Sequence, residues 1–177
     1  MHSLVYVSQA TQHFDELSTR ELANQAYQRN EQLLITGFLS YYDGQFLQYL
    51  EGEKEKLSNL MDTICADTRH TILRTVQLPP TSDRRFATWH MRYLPPHRVV
   101  TINLEKVLGD LLTRMNSSLY REEWLIRSVQ SIIEKFSTFF AAFPHTPPPT
   151  SLQLIRADSA AAQFYTGQLP ENNTLFF

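Results

Sequence analysis

The dipeptide Asp43-Gly44, set between the apolar runs Gly37-Phe-Leu-Ser-Tyr-Tyr42 and Gln45-Phe-Leu-Gln-Tyr-Leu-Glu-Gly52, constrains this chain more than any other feature. A two-residue hairpin turn of type I′ needs positive φ at both central positions, which Asp-Gly accepts. The turn fixes the register: Tyr42 faces Gln45 and Leu39 faces Gln48. Alternation then places Leu39, Tyr41, Phe46, Gln48 and Leu50 on one face of the hairpin. Gln48 is therefore a primary amide on an otherwise apolar surface, where each unpaired polar group costs about 1–3 kcal/mol. Something polar and flat is expected to meet it there.

The rest of the chain builds a sheet around this hairpin. Leu4 to Ser8 alternates as a strand, with Leu4, Tyr6 and Ser8 on one face and Val5 and Val7 on the other. Ser18 with Glu21 reads as a capping box, predicting a helix from about Thr19 to Arg29 whose inner stripe is Leu22, Ala26 and Asn30. Lys54 to Asp67 repeats Leu57, Leu60, Met61 and Ile64 at helical spacing. Thr71–Leu78 and Phe86–Leu94 read as strands either side of the Pro79-Pro-Thr-Ser-Asp83 loop. The order is βαββαββ, an α+β fold with the two helices on one face of the sheet.

Beyond Pro95-Pro96 the pattern turns helical, first over Leu104, Val107, Leu108, Leu111, Leu112 and Met115, then over Leu125, Val129, Ile132, Ile133, Phe136, Phe140 and Phe143. The hairpin's outer face carries Phe38, Tyr42, Leu47 and Tyr49, so at least one of these helices is expected to cover it. Pro144 and Pro147-Pro-Pro149 then break the chain, with a short helix over Ser151–Tyr165 and a weakly ordered tail from Gly167. The organisation expected is a core of residues 1–96, helices over 97–143 and a terminal segment over 144–177. Phe136, Phe139, Phe140 and Phe143 exceed what one stripe needs; they either pack on the sheet or form a surface for a partner or a second copy.

With 177 residues, a net charge of −2 and no basic stripe, the chain is not built for charge-driven binding to nucleic acid or anionic membrane. Its single cysteine, Cys65, excludes an internal disulfide framework and suits a reducing compartment. The opening segment has no basic stretch and too short an apolar run for a signal peptide or membrane span, so a soluble cytoplasmic protein is expected. His2, His13, His70, His90, His97 and His145 show no metal-ligand spacing, and no nucleophile–base pair or glycine-rich phosphate loop is visible. An enzyme is not expected.

Several polar or aromatic side chains fall on faces the pattern otherwise reserves for core: Tyr6, Asn30, Gln48, Trp89 and Met91. As a continuous strand, the last apolar run puts Trp89, Met91 and Tyr93 on one face. Tyr6, Gln48 and either Trp89 or Met91 should then approach one another beside the first helix, where Ala23 and Ala26 leave room for a planar ligand. Taken singly, all but Gln48 have ordinary readings as core residues or a helix cap.

The stretches Leu4-Val-Tyr-Val-Ser8, Arg29-Asn30, Thr36-Gly-Phe-Leu39, Asp43-Gly-Gln-Phe-Leu-Gln-Tyr-Leu-Glu-Gly52, Asp67-Thr-Arg-His70 and Arg85-Phe-Ala-Thr-Trp-His-Met91 together resemble BLUF domains, the blue-light sensors that use FAD. The likeness runs over about residues 2–94, with order and separations preserved. It implies a ferredoxin-like fold with the flavin ring between the first two helices, and contacts from Tyr6, Ser8, Arg29, Asn30, Gln48, Asp67, Arg69 and His70. Arg29 stands where many members carry His or Asn. By the resemblance, Tyr6 gives the excited flavin an electron and then a proton, the Gln48 amide rearranges, and Met91 and Trp89 respond. The output then passes to a separate signalling protein or through self-association. Two other readings remain: a flavin-dependent enzyme, and a flavin-free interaction module on the same fold.

Overall fold

A computed structural model describes residues 1–95 and 122–141 of the chain. Its elements are β1 (His2–Ala10), α1 (Glu16–Leu33), β2 (Thr36–Tyr42), β3 (Gln45–Gly52), α2 (Lys54–Cys65), β4 (His70–Leu78), β5 (Arg92–Tyr93) and α3 (Glu122–Ala141). The helical stripe expected over Leu104–Met115, the residues from Phe143 onward and the short helix from Ser151 lie outside the described residues.

The strands form one sheet in the order β4-β1-β3-β2-β5. All neighbours are antiparallel except β2 and β5. This is the ferredoxin-like arrangement with an extra edge strand. The hairpin register is the one the turn dictates: Tyr42 pairs with Gln45 and Leu39 with Gln48. Asp43 (φ 50°) and Gly44 (φ 75°) both adopt the left-handed conformation that a type I′ turn requires. Gly37 serves a different need, since a Cβ there would run into the carbonyl oxygen of Tyr49.

Alternation sorts the side chains into two cores. On one face Leu4, Leu39, Phe46 and Leu50 of the sheet meet Ala23 of α1 and Leu57 and Leu60 of α2. On the other, Val5, Val7, Phe38, Leu47 and Tyr49 meet Leu125, Val129, Ile133 and Phe136, which recur on one side of α3. Fully burying such side chains is worth about 1.5–3 kcal/mol each, so apolar packing holds α3 to the sheet as it holds the helices opposite. Phe136 stacks on Phe38 with ring centroids 5.1 Å apart, so this phenylalanine packs on the sheet. Tyr42, expected under the same cover, is half exposed beside the turn.

Several expectations are corrected. The cap of α1 is Asp15, not Ser18. Asp15 accepts from Ser18 N at 2.8 Å while Ser18 Oγ accepts from Asp15 N at 3.0 Å, so Ser18 is the third residue of the box and the helix starts a turn earlier. At its far end α1 runs on to Leu33, and α2 stops at Cys65, two residues short of Asp67.

The strand expected over Phe86–Leu94 shrinks to Arg92–Tyr93. Phe86 to Trp89 is instead a turn, closed by Trp89 N donating to Phe86 O at 3.0 Å. The turn breaks the period-two alternation, so Trp89 and Met91 fall in opposite cores rather than on one face. Packing decides the outcome: in the α3-side core the Phe86 ring centroid lies 4.9 Å from that of Trp89, tilted, and 5.2 Å from that of Tyr49, edge-on, which a straight strand would forbid.

Candidate functional site

Between α1, α2 and the sheet lies a cleft of about 280 Å³. Tyr6, Leu39, Phe46 and Gln48 form its floor, α1 contributes Leu22, Ala26, Arg29 and Asn30, and α2 contributes Leu60, Thr63 and Ile64. Asp67, Arg69 and His70, on the link into β4, line it as well. An apolar cleft with a few convergent polar groups is the usual form of a small-molecule site.

The centre of the floor is set by strand register. Tyr6 and Gln48 are directly opposite on β1 and β3, so their side chains rise side by side on the cleft face. Both are almost inaccessible, at 3% and 6% exposure. Tyr6 Oη donates to Gln48 Oε1, and Gln48 Nε2 donates to Met91 Sδ at 3.4 Å. Thioether sulfur is a weak acceptor, so the amide is held firmly on one side and loosely on the other. Burial, and after it the charge of Asp67, pushes the Tyr6 phenol well above its ordinary range. The phenol therefore stays protonated and remains a donor at any physiological pH.

Asn30, buried in the last turn of α1, donates through Nδ2 to the backbone oxygen of His90 at 2.8 Å, tying the helix to the segment that carries Met91. Arg69 forms a forked pair with Asp67, Nε to Oδ1 at 2.9 Å and Nη2 to Oδ2 at 2.6 Å, and Arg69 N also donates to Oδ1 at 2.9 Å. These bonds hold the Asp67 carboxyl at about 2. His70 sits 6.3 Å from the Tyr6 ring, and burial lowers its basicity. The register between β1 and β4 slips at Val7/Ser8, opposing Ser8 to Ile72 and Val7 to Arg74. A bulge of this kind re-aims side chains beside a site.

Of the residues singled out in the sequence, Tyr6, Arg29, Asn30, Gln48, Asp67, Arg69 and His70 line the cleft, whereas Ser8, Met91 and Trp89 do not. Met91 reaches it only through Gln48. Trp89 lies across the sheet, with the Arg92 guanidinium 4.4 Å from its ring centre. Sequence reasoning missed Phe14, Thr63 and Ala66 on the walls, and Glu51 behind the sheet. Only Glu51 carried a signal. Continuing the alternation from Leu47 and Tyr49 puts a carboxylate on a covered face.

A flavin fits this donor set. The cleft offers an apolar floor, small side chains at Ala26 and Ala66, and amides at Asn30 and Gln48 suited to a heterocycle edge bearing both donors and acceptors. Two buried polar atoms, Ser8 Oγ and His70 Nδ1, have no hydrogen-bond partner among the described residues. Among those residues no three His, Cys, Asp or Glu side chains converge as a metal site requires, and no helix is long and apolar enough to cross a membrane.

The photoactivated adenylate cyclase subunit beta of Euglena longa is 36% identical over 128 residues, covering 67% of this chain but 15% of that protein. Its Euglena gracilis counterpart is 34% identical over 128 residues with the same coverage, so the chain spans about a seventh of these relatives' length. Among solved structures, BlsA in its photo-activated state is 26% identical with a TM-score of 0.53, covering 75% of this chain and 94% of that one. The dark-state structure of the BLUF protein BlrB shares the fold with a TM-score of 0.56 at 23% identity, over 78% of this chain and 96% of its own. The family model described as sensors of blue-light using FAD matches residues 1–92. With the cleft, the sheet order and the Tyr6–Gln48 pair in place, the chain belongs to the BLUF family of flavin-binding blue-light sensors.

Proposed function

We propose that this chain binds FAD in the cleft between α1 and α2 and converts blue light into a change in the bonding of Gln48, which a separate signalling protein reads. When bound, the flavin supplies a chromophore whose excited state is a strong one-electron oxidant. Tyr6, Arg29, Asn30, Gln48, Asp67, Arg69 and His70, which line the cleft, would hold it. With the flavin bound, Tyr6 would give it an electron and then, through the bond to Gln48 Oε1, its phenolic proton. The Gln48 amide would rotate or tautomerise, let go of Met91 Sδ and re-aim an N–H into the cleft. Tyr6 then recovers its electron and proton, and only the amide's arrangement has changed.

The observation that carries this reading is the buried chain of contacts Tyr6–Gln48–Met91. It joins an oxidisable phenol, an uncharged group with donors and an acceptor, and a weak thioether contact. An amide exchanges one or two hydrogen bonds worth about 0.5–1.5 kcal/mol each, enough to bias an element already near balance. The two-residue strand β5 and the turn before it, which flank Met91, are the element such a change would act on. A single exposed cysteine, Cys65, is consistent with a reducing cytoplasm. The test is the visible spectrum of the full chain before, during and after blue light. A reversible red shift of the flavin band is expected, and a flavin band indifferent to light refutes the proposal.

A further inference from the structure

Glu51 is wholly buried at the end of β3, and nothing in the light-sensing scheme uses it. Its Oε1 accepts from Thr36 Oγ1 at 3.0 Å and from Phe86 N at 2.7 Å, while Oε2 accepts from Tyr49 Oη at 2.8 Å and from Arg85 N at 2.9 Å. Four donors fill the acceptor capacity of a carboxylate, and such charge-assisted bonds are roughly twice as strong as neutral ones. Two of the donors are consecutive main-chain N–H groups, so Glu51 orients the backbone at the start of the segment leading to Met91.

That segment is fixed at two ends. After Glu51 takes residues 85 and 86, the chain turns at Trp89, whose carbonyl accepts from Gly37 N at 2.6 Å, and crosses to the cleft side, where Met91 meets Gln48. Glu51 and Gln48 lie three positions apart on one strand, on opposite faces. At the first end Glu51 holds two consecutive backbone N–H groups; at the second, Trp89 O and His90 O accept from Gly37 N at 2.6 Å and Asn30 Nδ2 at 2.8 Å, while the Met91 side chain itself meets Gln48 through one weak contact to sulfur. Arg85, with 8% of its side chain exposed, also lies 3.4 Å from Tyr49 Oη and 3.4 Å from Glu134 of α3, so the anchored end is the one that touches the helix.

We propose that Glu51 is a positioning residue for the light response: its carboxylate anchors the start of residues 85–91, a strap that presents Met91 to Gln48, and so sets the arrangement to which the Met91 side chain returns after Gln48 lets go of it. The anchor governs how quickly Met91 finds Gln48 again in the dark. This inference rests on the light-sensing function proposed above. An anchored strap returns from a narrow set of arrangements, whereas a loosened one must search a wider set and returns more slowly.

The experiment is the rate of dark recovery of the red shift in the full chain after a blue pulse, well below each variant's melting temperature. Glu51→Gln replaces one acceptor oxygen with a donor NH2 that faces other donors; recovery about tenfold slower is expected with the dark spectrum unchanged. Tyr49→Phe keeps the ring and removes one of the four donors; recovery slowed in the same direction, by about threefold, is expected. Val129→Ala destabilises the α3-side core but leaves all four donors to Glu51 in place and should recover at the wild-type rate, which separates anchoring from loss of stability. Wild-type recovery in Tyr49→Phe overturns the inference even if Glu51→Gln does not fold, and so does equal slowing in Val129→Ala. A wild-type chain that gives no red shift overturns the light-sensing reading itself, and the inference with it.

Discussion

On the α3 side of the sheet Phe38, Tyr49, Phe86 and Phe136 pack ring on ring and Glu51, the one buried carboxylate among the described residues, has every acceptor site filled. On the α1/α2 side the same strands leave a cleft, and Ser8 Oγ and His70 Nδ1 are buried there without partners among the described residues. The strands carry both faces at once, because successive side chains point opposite ways, so the sheet can be rigid behind and adaptable in front. Buried polar groups left short of partners weaken a fold unless a ligand completes them. The difference therefore separates the side that holds the molecule together from the side that does its work.

The sharpest way to break this division is to remove the polar pair from the working side. Tyr6→Phe and Gln48→Leu should each retain flavin yet lose the red shift entirely, as read by light-minus-dark absorption; normal photochemistry in both would deny the pair its role. The complementary change acts on the holding side. Phe136→Ala should cost about 3–5 kcal/mol in urea-denaturation midpoints, the usual penalty for deleting a buried aromatic ring, while the red shift persists in the folded fraction. If the shift vanished with the protein still folded, the two faces would not be separable.

A smaller effect lies at the mouth of the cleft. Asp67 titrates at about 2 in the folded protein, below its unfolded value near 3.9, so the unfolded chain takes up its proton first as the pH falls. Its contribution to stability is fully present above about pH 4 and is lost as pH falls towards 2. Asp67→Asn should flatten that part of the stability–pH curve measured by chemical denaturation, and an unaltered slope would show that the Arg69 pair contributes nothing there. Smallest of all, Asp15→Ala removes the cap of the helix walling the cleft and should cost about 1 kcal/mol by the same measurement, with flavin content intact.

The parts legible in the sequence were those where a local rule and the global fold agree. Asp43-Gly44 dictates its turn whatever surrounds it, so the pairing of Leu39 with Gln48 followed, and with it the face on which Gln48 lies. The period-two and helical patterns were enough to expect at least one C-terminal helix on the outer face, which α3 supplies through Leu125, Val129 and Ile133. What failed was the stretch from Phe86 to Met91, where local preference for strand is strong but two carboxylate-bound N–H groups and the aromatic core at Phe86 and Trp89 impose a turn. One broken alternation moved Trp89 to the far side of the sheet and left Met91 alone beside Gln48. The cap of α1 was misread for a humbler reason: Ser18-x-x-Glu21 and Asp15-x-x-Ser18 are overlapping boxes, and only the structure chooses between them.

The central claim is that the Gln48 amide changes its bonding partners in light, and infrared light-minus-dark difference spectroscopy on the flavin-loaded full chain tests it most directly. The account predicts a downshift of a flavin ring carbonyl band in wild type, reversing in the dark and absent in Gln48→Leu. A downshift that survives unchanged in Gln48→Leu would contradict it.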